Sequence, residues 1–353
     1  MKKNILLLPG DGIGPEVIDQ AVKVIKTISE KFNHNFNFLY ADIGHQAILK
    51  KSDPLPKETI DLLNHADAIL FGAIGDPYYD NNPQLKIRPE QGLLKLRKIL
   101  GLYANLRPIK VYKSISSLSP LKKELIKDVD FIVIRELIGG IYFGKKGRNK
   151  NKAFDLCEYK KEEIIRVGKV AFELAKKRKK KVTLVDKANV LETSRLWRET
   201  IQNLSKEYPE IQLEMMFVDN ASMQIIKKPK NFDVILTENM FGDILTDEAS
   251  VIAGSIGLLP SASIGEKIAL YEPIHGSFPK AAGKDIANPI GAILSSAMMF
   301  EYSFNLTKES KIIEDAVKKA LEKGFGTYDI NKKEKFYKCS EFGDIICKII
   351  KNY

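Results

Sequence analysis

Short apolar runs alternate along this chain with longer segments in which apolar residues recur every three or four positions. The short runs are typical of buried strands and the longer pattern of amphipathic helices. The runs predict strands at residues 5–8, 35–40, 68–71, 131–134, 182–185, 213–218 and 234–236. The longer pattern predicts helices at residues 15–31, 58–64, 93–100, 162–177 and 191–208. Strands that alternate with helices in this way indicate an α/β fold.

One stretch departs from this alternation. Residues 139–144 and 153–158 are short β-like segments on either side of a polar loop, residues 145–152. This pattern predicts a protruding hairpin with exposed Ile, Tyr and Phe side chains. Because an isolated hairpin is marginally stable and exposed apolar side chains usually need a partner, we expect a second subunit to cover it.

Length and composition limit the class of protein. The 353 residues are enough for about two domains, and no apolar run reaches the roughly 18 residues of a membrane-spanning helix. The apolar stretch at residues 5–8 is too short for a signal peptide. Cys157, Cys339 and Cys347 show no CxxC spacing, so neither a disulfide framework nor a zinc site is indicated. We expect a protein of the reducing cytoplasm with no membrane association.

The net charge of +11 raises the possibility of nucleic-acid binding. Much of the charge is lysine, as in the run at residues 176–181, which lies between a predicted helix and a predicted strand. Aromatic residues do not interleave with the basic ones, as stacking on bases would require. We therefore expect a solvated turn there and no nucleic-acid partner, while a basic nucleic-acid-binding protein remains the alternative from another class.

A string of residues after the last predicted strand carries the clearest chemistry. Residues 239–250 read Asn-Met-Phe-Gly-Asp-Ile-Leu-Thr-Asp-Glu-Ala-Ser, with Asn239 and Gly242 marking a turn. Asp243 and Asp247 are four apart, so on a helix they share one face. Two neighbouring carboxylates repel each other unless a cation lies between them, and Mg²⁺ or Mn²⁺ prefers such oxygen ligands. The spacing alone fits an acid-rich first helical turn equally well.

The whole string resembles the signature of the metal-dependent β-decarboxylating dehydrogenases, a family that includes isocitrate, 3-isopropylmalate, homoisocitrate and tartrate dehydrogenases. The resemblance implies that Asp243 and Asp247 bind Mg²⁺ or Mn²⁺. It also implies that Lys187 and Asp219 reach the site from a second subunit, Asp219 as a third metal ligand, so that a homodimer shares its active sites. Tyr142, in Gly-Gly-Ile-Tyr-Phe-Gly, and Lys187, in Val-Asp-Lys-Ala-Asn-Val, match the catalytic residues of the family. Lys187 would take the proton of the substrate hydroxyl, and Tyr142 would donate a proton to carbon.

The opening Leu-Pro-Gly-Asp-Gly-Ile-Gly-Pro-Glu-Val, residues 8–17, lacks the third glycine of a Rossmann fingerprint because Pro15 stands there. The family has an opening of this kind and a different, two-domain α/β fold with mixed sheets, the isopropylmalate dehydrogenase type. Ile13 would contact the cofactor, and the glycines beside it would allow the backbone to approach the cofactor closely. A tight strand-to-helix turn explains these glycines nearly as well. The resemblance implies a cofactor domain at residues 1–102 and 255–353. It implies a central substrate and dimerisation domain at residues 103–254, with the hairpin at about 138–158.

Arginine is scarce beside lysine in this chain, so a position that keeps arginine indicates a need for its planar guanidinium group. Arg97, Arg107 and Arg135 could form bidentate clamps for the two carboxylates of a malate skeleton. Leu93 and Leu94, near Glu90 and Arg97, suit a substrate with an aliphatic branch, although they could be ordinary core leucines. They resemble the leucines that contact the branch in 3-isopropylmalate dehydrogenases. The implied reaction is oxidative decarboxylation of (2R,3S)-3-isopropylmalate to 4-methyl-2-oxopentanoate in leucine biosynthesis, with tartrate or homoisocitrate as alternative substrates.

Residues 272–289 resemble the adenosine-binding loop of the family. The implied cofactor contacts come from this loop and from an earlier turn: Gly254, Gly257, Glu272, His275, Gly276, Ser277, Lys280 and Asn288. One position departs from the pattern of NAD-using members, which carry an aspartate where Lys280 stands; lysine occurs there in NADP-using isocitrate dehydrogenases. We expect NAD, with weaker discrimination against NADP.

Overall fold

The protein has an α/β structure that divides into two compact units. The computed structural model describes residues 1–82, 84–331 and 335–353. The first unit contains Met1–Leu100, Ser255–Ala262 and Glu266–Tyr353. The second unit contains Gly101–Gly254 and Ser263–Gly265. The α/β class expected from the sequence is confirmed.

The strands follow one another along the chain as β1 (Lys2–Gly10), β2 (Asn35–Tyr40), β3 (Ala68–Ala73), β4 (Ala104–Lys110), β5 (Asp130–Glu136), β6 (Lys146–Arg148), β7 (Ala153–Asp155), β8 (Lys181–Asp186), β9 (Gln212–Phe217), β10 (Val234–Thr237), β11 (Pro260–Ile264) and β12 (Ala269–Pro273). All the strands predicted from the apolar runs are present, with ends that differ by a few residues.

The helices are α1 (Gly14–Phe32), α2 (His45–Lys51), α3 (Lys57–Leu63), α4 (Pro77–Asp80), α5 (Pro89–Leu100), α6 (Lys123–Ile126), α7 (Lys161–Lys176), α8 (Glu192–Ser205), α9 (Val218–Lys227), α10 (Asn239–Ala253), α11 (Ile290–Tyr302), α12 (Thr307–Glu322) and α13 (Cys339–Lys351). The predicted helices are likewise present. Among the residues that the structure describes, no helix is both long enough and apolar enough to cross a membrane.

A parallel arrangement of strands forms the core of the first unit, in the order β2-β1-β3-β12. The central strand β1 is buried through its apolar run, residues 5–8. Such a continuous apolar run is typical of a parallel strand that is covered on both faces. Helix α1 has Pro15 in its first turn and is capped at its C-terminus by Asn33, which has a left-handed backbone and whose N–H donates to the carbonyl of Ser29.

The second unit has a mixed sheet in the order β4-β5-β10-β8-β9. Strands β5, β10, β8 and β9 are parallel, and β4 is antiparallel to β5. The carboxyl ends of the parallel strands therefore meet at one edge of the sheet, and the first residues of β4 lie at the same edge. Ligand sites of open α/β sheets are found at such an edge. Arg135, Lys187 and Glu238 lie at or directly after these strand ends.

The predicted hairpin is present, but its first strand was placed wrongly. Strands β6 and β7 pair antiparallel within residues 146–155, whereas residues 140–142 form a 3-10 turn instead of a strand. Gly140 has a φ of +70°, and its carbonyl accepts hydrogen bonds from the N–H groups of Phe143 and Gly144. These hydrogen bonds close a turn. A strand would need an extended backbone at Gly140, which its left-handed φ excludes.

The basic run at residues 176–181 is a turn between α7 and β8, as expected. Within the run, Arg178 forms ion pairs with Asp130 and Asp233, and Lys181 forms one with Glu214.

Candidate active site

Helix α10 carries the acidic pair. The helix begins at Asn239, directly after β10, so the turn expected at residues 239–242 is its first turn. Glu238 caps it, because its carboxylate accepts a hydrogen bond from the N–H of Phe241 at 3.1 Å. Asp243 and Asp247 lie one turn apart on this helix, and both side chains reach solvent. The helical spacing expected from the sequence is confirmed.

Two buried arginines face this pair. Arg135, at the end of β5, donates from Nη1 to Oδ1 of Asp243. Arg107, on β4, lies 3.6 Å from Oδ1 of Asp243 and 3.9 Å from Oδ1 of Asp247. Partial burial raises the pKa of Asp247 above its usual value, although the Arg107 guanidinium opposes this shift. Two planar cations thus adjoin two carboxylates, and a guanidinium of this kind binds a carboxylate ligand with two parallel hydrogen bonds.

Arg107 is held by neutral side chains of the second unit. Its Nε donates to Oδ1 of Asn105 at 2.6 Å, and its Nη1 donates to the Thr246 hydroxyl at 2.6 Å. Asn105 also donates from Nδ2 to the hydroxyl of Ser263 at 3.0 Å. The guanidinium therefore keeps a fixed orientation at the strand edge.

Tyr142 lies at the same place as the acidic pair. Its hydroxyl donates to Oδ2 of Asp243 at 3.0 Å, and the Arg135 guanidinium lies 5.6 Å from the centre of its ring. Burial raises the pKa of Tyr142, and the Asp243 carboxylate raises it further. The hydroxyl is consequently protonated near neutral pH and can act as a proton donor.

Lys187 and Asp219 form a separate ion pair in the same unit. Lys187 follows β8, and its ammonium group contacts the carboxylate of Asp219 in the first turn of α9. The hydrogen bond from Lys187 lowers the pKa of Asp219, whose side chain is 59% exposed. Within the described part of this chain, no three His, Cys, Asp or Glu side chains form one metal-binding group. The structure therefore brings Asp243 and Asp247 together, and it holds Asp219 with Lys187.

The donor set around Asp243 and Asp247 fits a hard divalent cation. The two carboxylates share a helix face, reach solvent and supply only oxygen ligands, which Mg²⁺ and Mn²⁺ prefer. Asp243 already accepts hydrogen bonds on both oxygens, but each carboxylate oxygen has a second lone pair for a cation.

In the first unit, α5 carries the predicted substrate residues. Leu93 and Arg97 lie one turn apart and are buried, Leu94 is half-buried, and Glu90 is exposed. Arg97 donates from Nη2 to Glu272 at 3.1 Å, while its buried Nε has no partner among the described residues. This unpartnered N–H leaves Arg97 with capacity for a further acceptor.

The predicted cofactor loop follows β12 in the first unit. Burial lowers the pKa of His275, so its ring is neutral near pH 7. Its Nδ1 lies 2.9 Å from the carbonyl of Gly276, while its buried Nε2 has no partner among the described residues. A side chain at Gly276 would meet nothing within 4 Å. The orphaned Nε2 leaves His275 with capacity for a further hydrogen bond.

The glycines of the opening turn are explained by packing within the protein. A Cβ at Gly12, whose φ is +59°, would come within 1.9 Å of the carbonyl oxygen of Ser277. The same carbonyl accepts a hydrogen bond from the N–H of Ile13 at 2.7 Å. The turn thus lies directly against the predicted cofactor loop. Lys280 is exposed in a 3-10 turn of that loop, and Gly254 ends α10 with a φ of +94°.

Two acids that position loops, the half-buried Asp329 and the buried Asp11, were missed in the sequence. The Asp329 carboxylate accepts hydrogen bonds from Ser255 and Asn288, and Ser255 in turn accepts one from the N–H of Gly257 at 3.1 Å. Asp11 accepts from three backbone N–H groups, those of His45, Gln46 and Gly75. The Gly-Asp-Gly spacing could have indicated Asp11, since an acid between two turn glycines often binds backbone donors. No local signal identifies the role of Asp329, because Ser255 and Asn288 are far away from it in sequence.

Comparison with known proteins gives the family. The sequence profile described as isocitrate/isopropylmalate dehydrogenase matches residues 4–346. A 3-isopropylmalate dehydrogenase of Bacillus subtilis (strain 168) is 54% identical, over 95% of this chain and 94% of its own. One of Carboxydothermus hydrogenoformans is 53% identical, over 98% of this chain and 94% of its own.

Two solved structures share the fold. An isocitrate dehydrogenase from Methylococcus capsulatus superposes with a TM-score of 0.88 at 33% identity, over 99% of both chains. A β-decarboxylating dehydrogenase from Thermococcus kodakarensis gives 0.81 at 35% identity, over 99% of this chain and 96% of its own. The fold is therefore that of the decarboxylating dehydrogenases. The chain belongs to the isocitrate/isopropylmalate dehydrogenase family, and the resemblance noted in the sequence is confirmed.

Proposed function

We propose that this protein catalyses the NAD-dependent oxidative decarboxylation of (2R,3S)-3-isopropylmalate to 4-methyl-2-oxopentanoate, a step of leucine biosynthesis in the cytoplasm. The observation that carries the proposal is the group formed by Asp243, Asp247, Arg107, Arg135 and Tyr142. It combines oxygen ligands for a cation, clamps for carboxylates and a proton donor. The names of relatives at 53–54% identity support the choice of substrate.

Each residue has a proposed task. In the second unit, Arg107 and Arg135 bind substrate carboxylates, and Lys187, directly or through water, takes the hydroxyl proton during oxidation. Tyr142 returns a proton to carbon after CO₂ is lost. In the first unit, substrate binding is assigned to Glu90, Leu93, Leu94 and Arg97. Cofactor binding is assigned to Ile13, Gly257, Glu272, His275, Gly276, Ser277, Lys280 and Asn288, with Gly254 at the end of α10.

The two bound groups supply what side chains cannot. A divalent cation at Asp243, Asp247 and Asp219 of the partner subunit would act as a Lewis acid toward the C2 oxygen of the substrate. NAD would accept the hydride.

A homodimer is part of the proposal. Ile244 and Val251 lie two turns apart on α10, where they share a face, and they are 60% and 49% exposed. Phe154 of the hairpin is 53% exposed. A helix face of exposed apolar side chains, such as that of α10, often marks an interface. A second copy of the chain is the partner we assign to them.

Substrate choice is tested with Leu93→Ala. We expect this substitution to lower kcat/KM for 3-isopropylmalate more than kcat/KM for unbranched malate. The difference should correspond to about 1–3 kcal/mol, because only the branched substrate loses its contact with the leucine side chain. Steady-state rates with both substrates, and with tartrate and homoisocitrate as rivals, measure this.

The matched control is Leu96→Ala, which truncates a fully buried leucine on the same helix. It should lower stability by about 2–5 kcal/mol without changing the ratio of the two substrates. An equal loss for both substrates in Leu93→Ala would make that leucine a core residue only, and faster turnover of a rival substrate would replace the proposed one.

Lys280 tests the choice of cofactor. A well-placed charged hydrogen bond to a 2′-phosphate is worth about 1.5–3 kcal/mol. An exposed lysine without supporting groups should stabilise bound NADP⁺ by less than this. We expect NAD⁺ to be preferred, and Lys280→Asp to sharpen that preference by repelling the phosphate. Rates with NAD⁺ and NADP⁺ for wild type, Lys280→Asp and the control Lys284→Asp, which makes the same charge change in the same loop, measure it. A wild-type preference for NADP⁺, or an unchanged ratio in Lys280→Asp, would contradict this assignment.

A further inference from the structure

A closed ring of hydrogen bonds in the second unit joins the base of the Tyr142 turn to Arg135. The ring passes through Asn239, which is 0% exposed. Its Oδ1 accepts from Nε and Nη2 of Arg135 at 3.0 and 2.7 Å, and its Nδ2 donates to the carbonyl of Gly139 at 3.0 Å. Gly139 directly precedes the 3-10 turn that carries Tyr142. Tyr142 and Arg135 both donate to Asp243, which closes the ring.

We propose that Asn239 is a positioning residue that fixes the Tyr142 hydroxyl relative to the Arg135 guanidinium. The inference rests on the proposed function, in which Arg135 binds a substrate carboxylate and Tyr142 protonates carbon. A proton donor is effective only at a set distance from the carbon it protonates, and the substrate's position follows from the arginine. The Asn239 amide bonds to Arg135 and to the turn that carries Tyr142. It therefore fixes the position of the proton donor relative to the bound substrate.

Asparagine suits this place because it offers an acceptor and a donor on one short planar group. Aspartate would keep the acceptor for Arg135, but it would lose the donor and present a negative oxygen to the carbonyl of Gly139. Serine is neutral but too short to span both partners. The substitution Asn239→Asp therefore breaks the bond to the Tyr142 turn while it preserves the bond to Arg135.

Other contacts keep the turn folded when that bond is lost. The N–H of Gly139 donates to Glu136 at 2.8 Å, and the N–H of Gly140 donates to the carbonyl of Glu158 at 3.1 Å. Glu136 is fully buried, and burial raises its pKa to about 7. A Cβ at Gly140 would come within 2.2 Å of the Tyr159 hydroxyl, so the turn packs directly on that ring. We therefore expect a displaced Tyr142, with the surrounding fold intact.

A double-mutant cycle tests the inference on the homodimer with substrate, cation and cofactor. Asn239→Asp should reduce kcat by about 10- to 100-fold, because a misplacement of about 1 Å costs on that order. The KM for 3-isopropylmalate should change by less than about threefold, since Arg135 keeps its partner. In a Tyr142→Phe background, Asn239→Asp should reduce kcat further by less than about threefold, because residues that act as a unit are not additive.

The control cycle uses Asn105→Asp, a buried asparagine whose Oδ1 accepts a hydrogen bond from Arg107. The kcat losses of Asn105→Asp and Tyr142→Phe should multiply in the double variant. If Asn239→Asp does not fold, the neutral Asn239→Ser is substituted. Because serine also releases Arg135, the KM for 3-isopropylmalate should rise, while the kcat loss should show the same non-additivity with Tyr142→Phe.

A measurement on the protein without cation or cofactor completes the test. With fluorotyrosine incorporated, the ¹⁹F resonance that disappears in Tyr142→Phe should shift in Asn239→Asp and stay in place in Asn105→Asp. If the kcat losses of Asn239→Asp and Tyr142→Phe multiply, or if the Tyr142 resonance does not shift in Asn239→Asp, the role of Asn239 is overturned while the proposed function stands. An undiminished kcat in Tyr142→Phe would instead overturn the proposed function of Tyr142, and the inference would fall with it.

Discussion

Asp243→Asn is expected to lower the dehydrogenase rate by at least about three orders of magnitude, since a catalytic cation supplies several kcal/mol of transition-state stabilisation. Removal of divalent ions with a chelator should do the same, and Mg²⁺ or Mn²⁺ should restore wild type but not the variant. Asp243 is the central acceptor of the site, bonded by Arg135 and Tyr142. The amide that replaces it still has an oxygen for Arg135 but is a far weaker cation ligand.

Glu248→Gln is the matched control, because it removes one negative charge on the same helix, next to Asp247. It should leave Mn²⁺ affinity, measured by electron paramagnetic resonance, and turnover close to wild type. Asp247→Asn should weaken Mn²⁺ binding in the same experiment, since it removes the second carboxylate of the pair. Full turnover by protein whose metal content is shown to be negligible would contradict the metal site.

The elements of the fold could be predicted because each apolar run or period records a local burial pattern. Strand β10 and helix α10 follow from an apolar run and from the spacing of the residues after it. The short turn at residues 140–142 could not be predicted in this way. Its form depends on the left-handed backbone of Gly140 and on packing against Tyr159, which is distant in sequence.

The site was predictable to the extent that its residues share one helix or one motif. Asp243 and Asp247 were predicted to lie on a common helix face, and the structure brings Arg107 and Arg135 to them from strands β4 and β5. Partners such as Asn239 with Gly139 come from distant segments, and their hydrogen bonds leave no periodic trace in the sequence. The sequence string contains Asn239, but only the fold gives its side chain two partners.

Mixing inactive Lys187→Ala protein with inactive Asp243→Ala protein is expected to restore about one quarter of wild-type activity, if sites are shared across a two-fold dimer. Equal mixing with subunit exchange makes half of the dimers hybrids. In a hybrid, one site receives Asp243 and Lys187 both intact, and the other receives both lesions. Lys187 and Asp219 are joined within one chain and reach solvent, as residues that serve a neighbouring subunit should.

The matched control mixes Lys187→Ala with Asp219→Ala. These two lesions belong to the same subunit's contribution, so each site of the hybrid keeps one of them and no activity should return. Exchange is verified with differently tagged subunits before the rates are compared. Recovery in the first mixture and none in the second would require that Lys187 and Asp219 act together in the site of the other subunit. No recovery in the first mixture despite proven exchange would mean that each chain builds its site alone, and the third metal ligand would then have to be sought within the same chain.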